Sequence, residues 1–121
     1  MKGEKSVAYE SLFKPIKIGS VEFKNRIGLA PQNLNWTTGG YFTEQHMAYF
    51  AARAKGGTAL LTTEAIRTSI EGVKRTFYEN PQLLEVGHQK GLSELAETVH
   101  YFGGKFFKII HGWIFLKNVI T

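Results

Sequence analysis

The sequence predicts an α/β fold built on a parallel sheet, and three observations carry that expectation. Short apolar runs at residues 27–30, 58–63 and 105–110 alternate with stretches of helical periodicity. Glycine pairs precede the second and third runs, at Gly56-Gly57 and Gly103-Gly104, and their second members lie 47 residues apart. The middle run, Thr58-Ala59-Leu60-Leu61-Thr62-Thr63, is apolar at its centre without alternation, which suits a strand covered on both faces. Strand, helix, strand, helix, strand in this rhythm implies right-handed crossovers rather than hairpins, and there is no sequence repeat behind it.

Residues 1–10 show no apolar periodicity and read as a flexible lead-in. From Ser11 a short turn ends at Pro15. Ile16-Lys17-Ile18 and Val21-Glu22-Phe23 then alternate on either side of Gly19-Ser20, a two-residue hairpin signal. The first strand of the parallel sheet, residues 27–30, is entered through the polar corner Lys24-Asn25-Arg26 and closed by Pro31, whose missing N–H ends ladder pairing. Its two ends lie on the order of 15 Å apart, so one can serve stability while the other faces a ligand.

Residues 33–42 form a loop dense in turn formers and aromatics. Trp36, Tyr41 and Phe42 either line a ligand surface or pack over the edge of the sheet. Thr43 offers a hydroxyl N-cap, Glu44 stands in the first turn, and Met47, Phe50, Ala51 and Ala54 recur at helical spacing up to Lys55, with Gly56 as the C-cap. After the second strand, residues 66–81 lack periodicity and carry turn signals at Glu71-Gly72 and Asn80-Pro81; a loop of that length is either functional or disordered. Leu92, Leu95, Ala96, Val99 and Phe102 then mark a second helix that ends at Gly103-Gly104, before the third strand.

Composition narrows the class of function. At 121 residues the chain suffices for one small core, and 43% hydrophobic with 21% charged residues is ordinary for a globular protein. With no cysteine there is no disulfide, thiolate metal site or cysteine nucleophile. The charged N-terminus lacks a signal-length apolar run and no stretch reaches the ~20 residues of a membrane span, so a cytoplasmic protein without membrane contact is expected. A net charge of +5 would suit an anionic partner, yet the fifteen Lys and Arg residues are scattered from Lys2 to Lys117. A solvated basic surface without nucleic-acid binding is therefore the favoured reading. The four histidines make no i, i+4 metal pair, and Glu44, Glu64 and Glu71 form no spaced carboxylate pair, so surface or packing roles are expected for the histidines and no metal or catalytic residue is assigned.

Several motifs stand in a telling order: Leu12-Phe13-Lys14-Pro15 with residues 16–18, Lys24-Asn25-Arg26-Ile27, Ala30-Pro31, the run Tyr49-Phe50-Ala51-Ala52-Arg53-Ala54-Lys55-Gly56-Gly57, and Thr63-Glu64-Ala65. In order and spacing, from Leu12 to Gly112, they resemble the N-terminal part of the old yellow enzyme family of FMN-dependent NADH:flavin oxidoreductases. The resemblance implies the opening part of a (β/α)8 barrel: a β-hairpin that plugs the barrel floor and buries Ile16, Ile18, Val21 and Phe23, then about three parallel strands and two helices. Such a barrel takes ~250 residues, so the expectation is an incomplete one. It also implies FMN as cofactor, NAD(P)H as electron donor and a small-molecule acceptor such as an activated alkene.

Positions matching Ala30, Pro31, Gln32 and Asn33 run beside the flavin ring in the family, and that of Ala65 packs close to it; the plainer reading of each is a strand end and turn. Lys108 stands where a glutamine is usual, and Gln32 where smaller or sulfur-bearing residues are usual. A lysine only donates, and its charge would favour reduced anionic flavin. The family's substrate-anchoring histidines, its proton-donating tyrosine and its phosphate loops are implied to lie beyond residue 121. After Gly112 the likeness gives way to the apolar tail of residues 113–121, which reads as a fragment or an interrupted frame. The expectation for this chain alone is little or no FMN binding, with a self-associating, non-catalytic piece as the alternative because one sheet edge is open.

Overall fold

The computed structural model describes residues 8–74 and 78–111. A 3-10 turn over Glu10–Phe13 leads into two short strands, β1 (Ile16–Ile18) and β2 (Val21–Phe23). These pair antiparallel, Ile16 opposite Phe23 and Ile18 opposite Val21, around Gly19, whose φ of 61° is the left-handed turn conformation that glycine adopts without strain. Then follow β3 (Gly28–Leu29), helix α1 (Glu44–Lys55), β4 (Leu60–Arg67), the short helix α2 (Ile70–Lys74), helix α3 (Val86–Tyr101) and β5 (Lys105–His111). The sheet order is β3-β4-β5, parallel throughout.

The sheet and both long helices share one core. Leu61 of β4 packs with Phe50 and Ala54 of α1 and with Leu95 and Val99 of α3, and the Phe106 ring of β5 stands edge-on to Phe50 at 5.9 Å. Burying each large apolar side chain in such a cluster is worth roughly 1.5–3 kcal/mol. Both crossover helices therefore lie on the same face of the sheet, the arrangement of a barrel wall rather than of an open sheet covered on both sides. Strand alternation turns Phe107 to the opposite face, where its ring stacks on Phe23 of the hairpin at 6.2 Å.

That contact accounts for a correction to the expected hairpin core. Phe23 is buried, but Ile16 and Val21 are only partly covered and Ile18 is 59% exposed. Phe23 is the hairpin residue whose ring meets Phe107 of the sheet.

The polar corner before β3 is a clamp. Asn25 Nδ2 donates to the Gly57 carbonyl (2.7 Å) and its Oδ1 accepts the Ile27 N–H (3.0 Å), while Lys24 Nζ donates to the Phe102 carbonyl (2.7 Å). Two adjacent residues thus fasten the entry of β3 to the ends of both long helices. The opposite end of the strand is left to the loop that follows Pro31.

Strand β4 extends further than its apolar centre indicates, and α3 begins at Val86, well before the periodic run at Leu92. In β4 the register against β5 slips between Thr62 and Ala65. The irregularity is satisfied internally: the Ile109 N–H, displaced from the ladder, donates to Thr63 Oγ1 at 3.0 Å. Residues 66–81 hold α2 and return to the sheet, with Gln82 bridged to Arg67. The first seven residues of the expected lead-in and the whole tail of residues 113–121 lie outside the described residues.

Candidate functional site

Because β3, β4 and β5 run parallel, residues 30–33, Ala65 and the end of β5 gather at one pole of the sheet. Ala30, Pro31, Gln32 and Asn33 are all exposed there, and Ala65 is half-buried. Two linkages with buried inner members tie the segment after β3 to the end of β4. In the first, the Leu34 N–H donates to Glu64 Oε2 (3.1 Å) while Glu64 Oε1 accepts from His46 Nε2 (3.0 Å). In the second, Arg67 donates through Nε (3.3 Å) and Nη2 (3.1 Å) to Asn80 Oδ1, and Asn80 Nδ2 donates to Asn33 Oδ1 (3.0 Å).

His46 is held in one tautomer by geometry alone. Its Nδ1 accepts the Thr43 backbone N–H (3.0 Å), so the ring proton sits on Nε2 and points at the Glu64 carboxylate. The same device recurs in α3, where His88 Nδ1 accepts the Glu85 N–H (3.3 Å) and Nε2–H donates to the Gly39 carbonyl (2.9 Å). Each histidine occupies the third position of its helix and satisfies an N–H at the helix start, as the acidic residue of a capping box does. Packing rather than surface roles hold for both. In the sequence His46 stands three residues after the candidate cap Thr43 and Glu64 lies within Thr63-Glu64-Ala65, but no spacing pattern joins the two or marks His88.

The aromatic loop packs over these helix starts. Trp36 meets His46 and Tyr49 edge-on at 5.6 and 5.4 Å, and Phe42 meets His46 at 5.1 Å. Tyr41 lies over the His88 ring at 4.4 Å and its hydroxyl bonds to the Glu85 carboxylate, which is the main reason its pKa is raised above the ordinary phenol value. For Arg67, burial draws the guanidinium pKa down from its ordinary value.

Lys108 requires a correction. With no extra residue in β5 itself, alternation places Lys108 on the same face as Phe106, toward the helices. There it lines an outer cleft of about 690 Å³ with Leu83, Val86, Leu92 and Phe106. The residue of β5 in register with Ala65 is Ile109. Lys108 therefore stands on the helix side of β5, with Ile109 opposite Ala65; position along a strand was legible, the face was not.

The family described as NADH:flavin oxidoreductase / NADH oxidase matches residues 11–113. This chain belongs to that family. Among its relatives, cinnamate reductase of Clostridium sporogenes is 33% identical over 103 residues, covering 82% of this chain. The solved 2-naphthoyl-CoA reductase superposes with a TM-score of 0.78 at 31% identity over 85% of the chain. Old Yellow Enzyme from Pichia sp. AKU4542 gives 0.72 at 27% identity over 83%. The fold is thus the opening arc of an old yellow enzyme β/α barrel. The chain spans 16% of the length of the cinnamate reductase, 16% of the 2-naphthoyl-CoA reductase chain and 26% of the Old Yellow Enzyme chain. Among the described residues no helix is long and apolar enough to cross a membrane.

Proposed function

We propose that residues 30–33 and Ala65 form one wall of an FMN site in an oxidoreductase that takes hydride from NAD(P)H and passes it to an activated alkene or related small-molecule acceptor. The observation that carries this reading is the Glu64 bridge to Leu34, which holds the segment after Pro31 against the end of β4 at the pole where β/α barrels bind ligands. The residues fit a planar ring. Ala30 and Ala65 project only a methyl group, Pro31 presents no N–H, and the amides of Gln32 and Asn33 supply hydrogen-bonding groups at the rim. Bound flavin would supply the hydride chemistry; these residues orient it and set its polar surroundings.

A titration of the 121-residue chain with FMN, followed by backbone amide resonances, tests the proposal. Shifts concentrated at Ala30, Gln32, Asn33 and Ala65, with a dissociation constant weaker than micromolar, are expected. Shifts elsewhere, or none, would overturn it. A second reading, self-association without catalysis, is favoured by β3 and β5, which pair with no further strand among the described residues, and by the exposure of Phe107 and Ile110. Light scattering that rises with protein concentration, without a matching FMN response, would select it.

A further inference from the structure

We propose that Arg67 is a positioning residue that acts through Asn80 to turn the Asn33 amide outward, so that this wall offers a hydrogen-bond donor and takes an acceptor atom of its ligand. The inference rests on the flavin-wall reading above and adds which end of the Asn33 amide the ligand meets.

The argument starts from a side chain that can only donate. A guanidinium has no acceptor, so the Arg67 contacts to Asn80, from Nε and Nη2, require the oxygen of Asn80. With that oxygen turned to Arg67, the Asn80 Nδ2 points the other way and donates to Asn33 Oδ1. The Asn33 oxygen is thereby engaged inward, and its Nδ2 is the polar group left for a ligand. Polarity propagates because the middle of the relay is sealed: Asn80 is 3% exposed and Arg67 9%, while Asn33 is open to the mouth. Reversing the Asn80 amide would set a buried N–H2 against a guanidinium, two donors facing each other. A ligand edge carrying a carbonyl oxygen or an unprotonated ring nitrogen meets such a wall favourably; an N–H edge does not.

Side-chain amide resonances of the ligand-free chain read the orientation directly. In the native protein the Asn80 N–H2 should be protected from solvent exchange and the Asn33 N–H2 should exchange rapidly. Asn80→Asp keeps an acceptor for Arg67 but removes the donor, so Asn33 should rotate and its N–H2 become the protected one. Arg67→Lys, which keeps a cationic donor, should preserve the native pattern. Titration with FMN should shift the Asn33 N–H2 resonances in the native chain, and Asn33→Asp, on an exposed position, should weaken FMN binding about three- to tenfold. A protected Asn33 N–H2 in the native chain, or a pattern unchanged by Asn80→Asp, would overturn the orientation. Backbone amides of residues 30–33 and Ala65 unmoved by FMN would instead overturn the flavin-wall reading, and with it the ligand assigned here, while leaving the measured orientation standing.

Discussion

His46 Nε2 lies 3.0 Å from Glu64 Oε1, with the two side chains 0% and 1% exposed. The pair joins the start of α1 to the end of β4, and the second carboxylate oxygen carries the connection on to Leu34. Glu64 therefore accepts from two donors, one buried and one partly buried, that approach different oxygens. Glu64→Gln preserves the shape but supplies a single carbonyl oxygen, so one donor is left against an N–H2. The expected loss is about 1–3 kcal/mol, read as a lower urea midpoint. His46→Ala deletes a fully buried ring and leaves Glu64 Oε1 without its donor, and should cost more, about 2–5 kcal/mol. Stability equal to the native chain in both variants would show that the bridge does not hold the two elements together.

Tyr41 and Glu85 make a pH-dependent contribution of the opposite character, because it lies at the surface. The hydrogen bond to Glu85 raises the Tyr41 pKa, so the folded state holds the phenol proton more tightly than the unfolded chain does. The contribution is present in full below the ordinary phenol pKa of about 10 and is lost as pH rises through the raised value. Melting curves of the native chain and of Tyr41→Phe should differ at pH 8 and converge above that window. A gap that widens with rising pH would contradict the assignment.

How much of this was legible in the sequence follows from what each signal depended on. Helix α1 could be read from Thr43 to Gly56 because its cap, apolar stripe and terminal glycine all agree. The first turns of α3 could not. Gly87 and Gly91 lower its helix propensity, and their purpose is tertiary: a Cβ on Gly87 would stand 3.0 Å from the Tyr41 hydroxyl oxygen, and one on Gly91 would stand 3.1 Å from Phe42 Cβ. That residues 30–33 and Ala65 stand toward one pole follows from strand ends and parallel order, both legible in the sequence. Lys108 could not be oriented the same way, since a side chain's face depends on register across the sheet. Glu64, His46, Asn80 and Arg67 were invisible as a group because hydrogen bonds between residues far apart in sequence leave no spacing pattern.

Two glycines on the sheet side separate space from conformation. A Cβ at Gly104 would meet Val99 Cγ1 at 3.0 Å, Leu61 Cδ1 at 3.2 Å and the Thr58 carbonyl at 3.2 Å, all within the core. Gly104→Ala should therefore destabilise by about 1–3 kcal/mol through overpacking. At Gly28 the nearest atoms belong to Leu60 at 3.6 Å, ordinary contact distance, and φ is not positive. Gly28→Ala should fall within about 0.5 kcal/mol of the native chain. Equal losses in the two variants would mean that the packing around Val99 and Leu61 relaxes freely.

Asn25 tests whether the two ends of β3 are separable. Its side chain makes two hydrogen bonds, to the Gly57 carbonyl and from the Ile27 N–H, and both lie at the entry of the strand. Asn25→Ala leaves that carbonyl and that N–H without their partner, which should lower stability by about 1–3 kcal/mol. The segment beyond Pro31 is held by Glu64 and Asn80 instead, so the amide resonances of Ala30, Gln32 and Asn33 should keep their native positions in the folded variant. Chemical denaturation and an amide spectrum of the same sample read both effects. Loss of stability with unmoved resonances at residues 30–33 supports a strand whose entry and exit are held independently. Displaced resonances at that end would show that the clamp at Asn25 also shapes the wall.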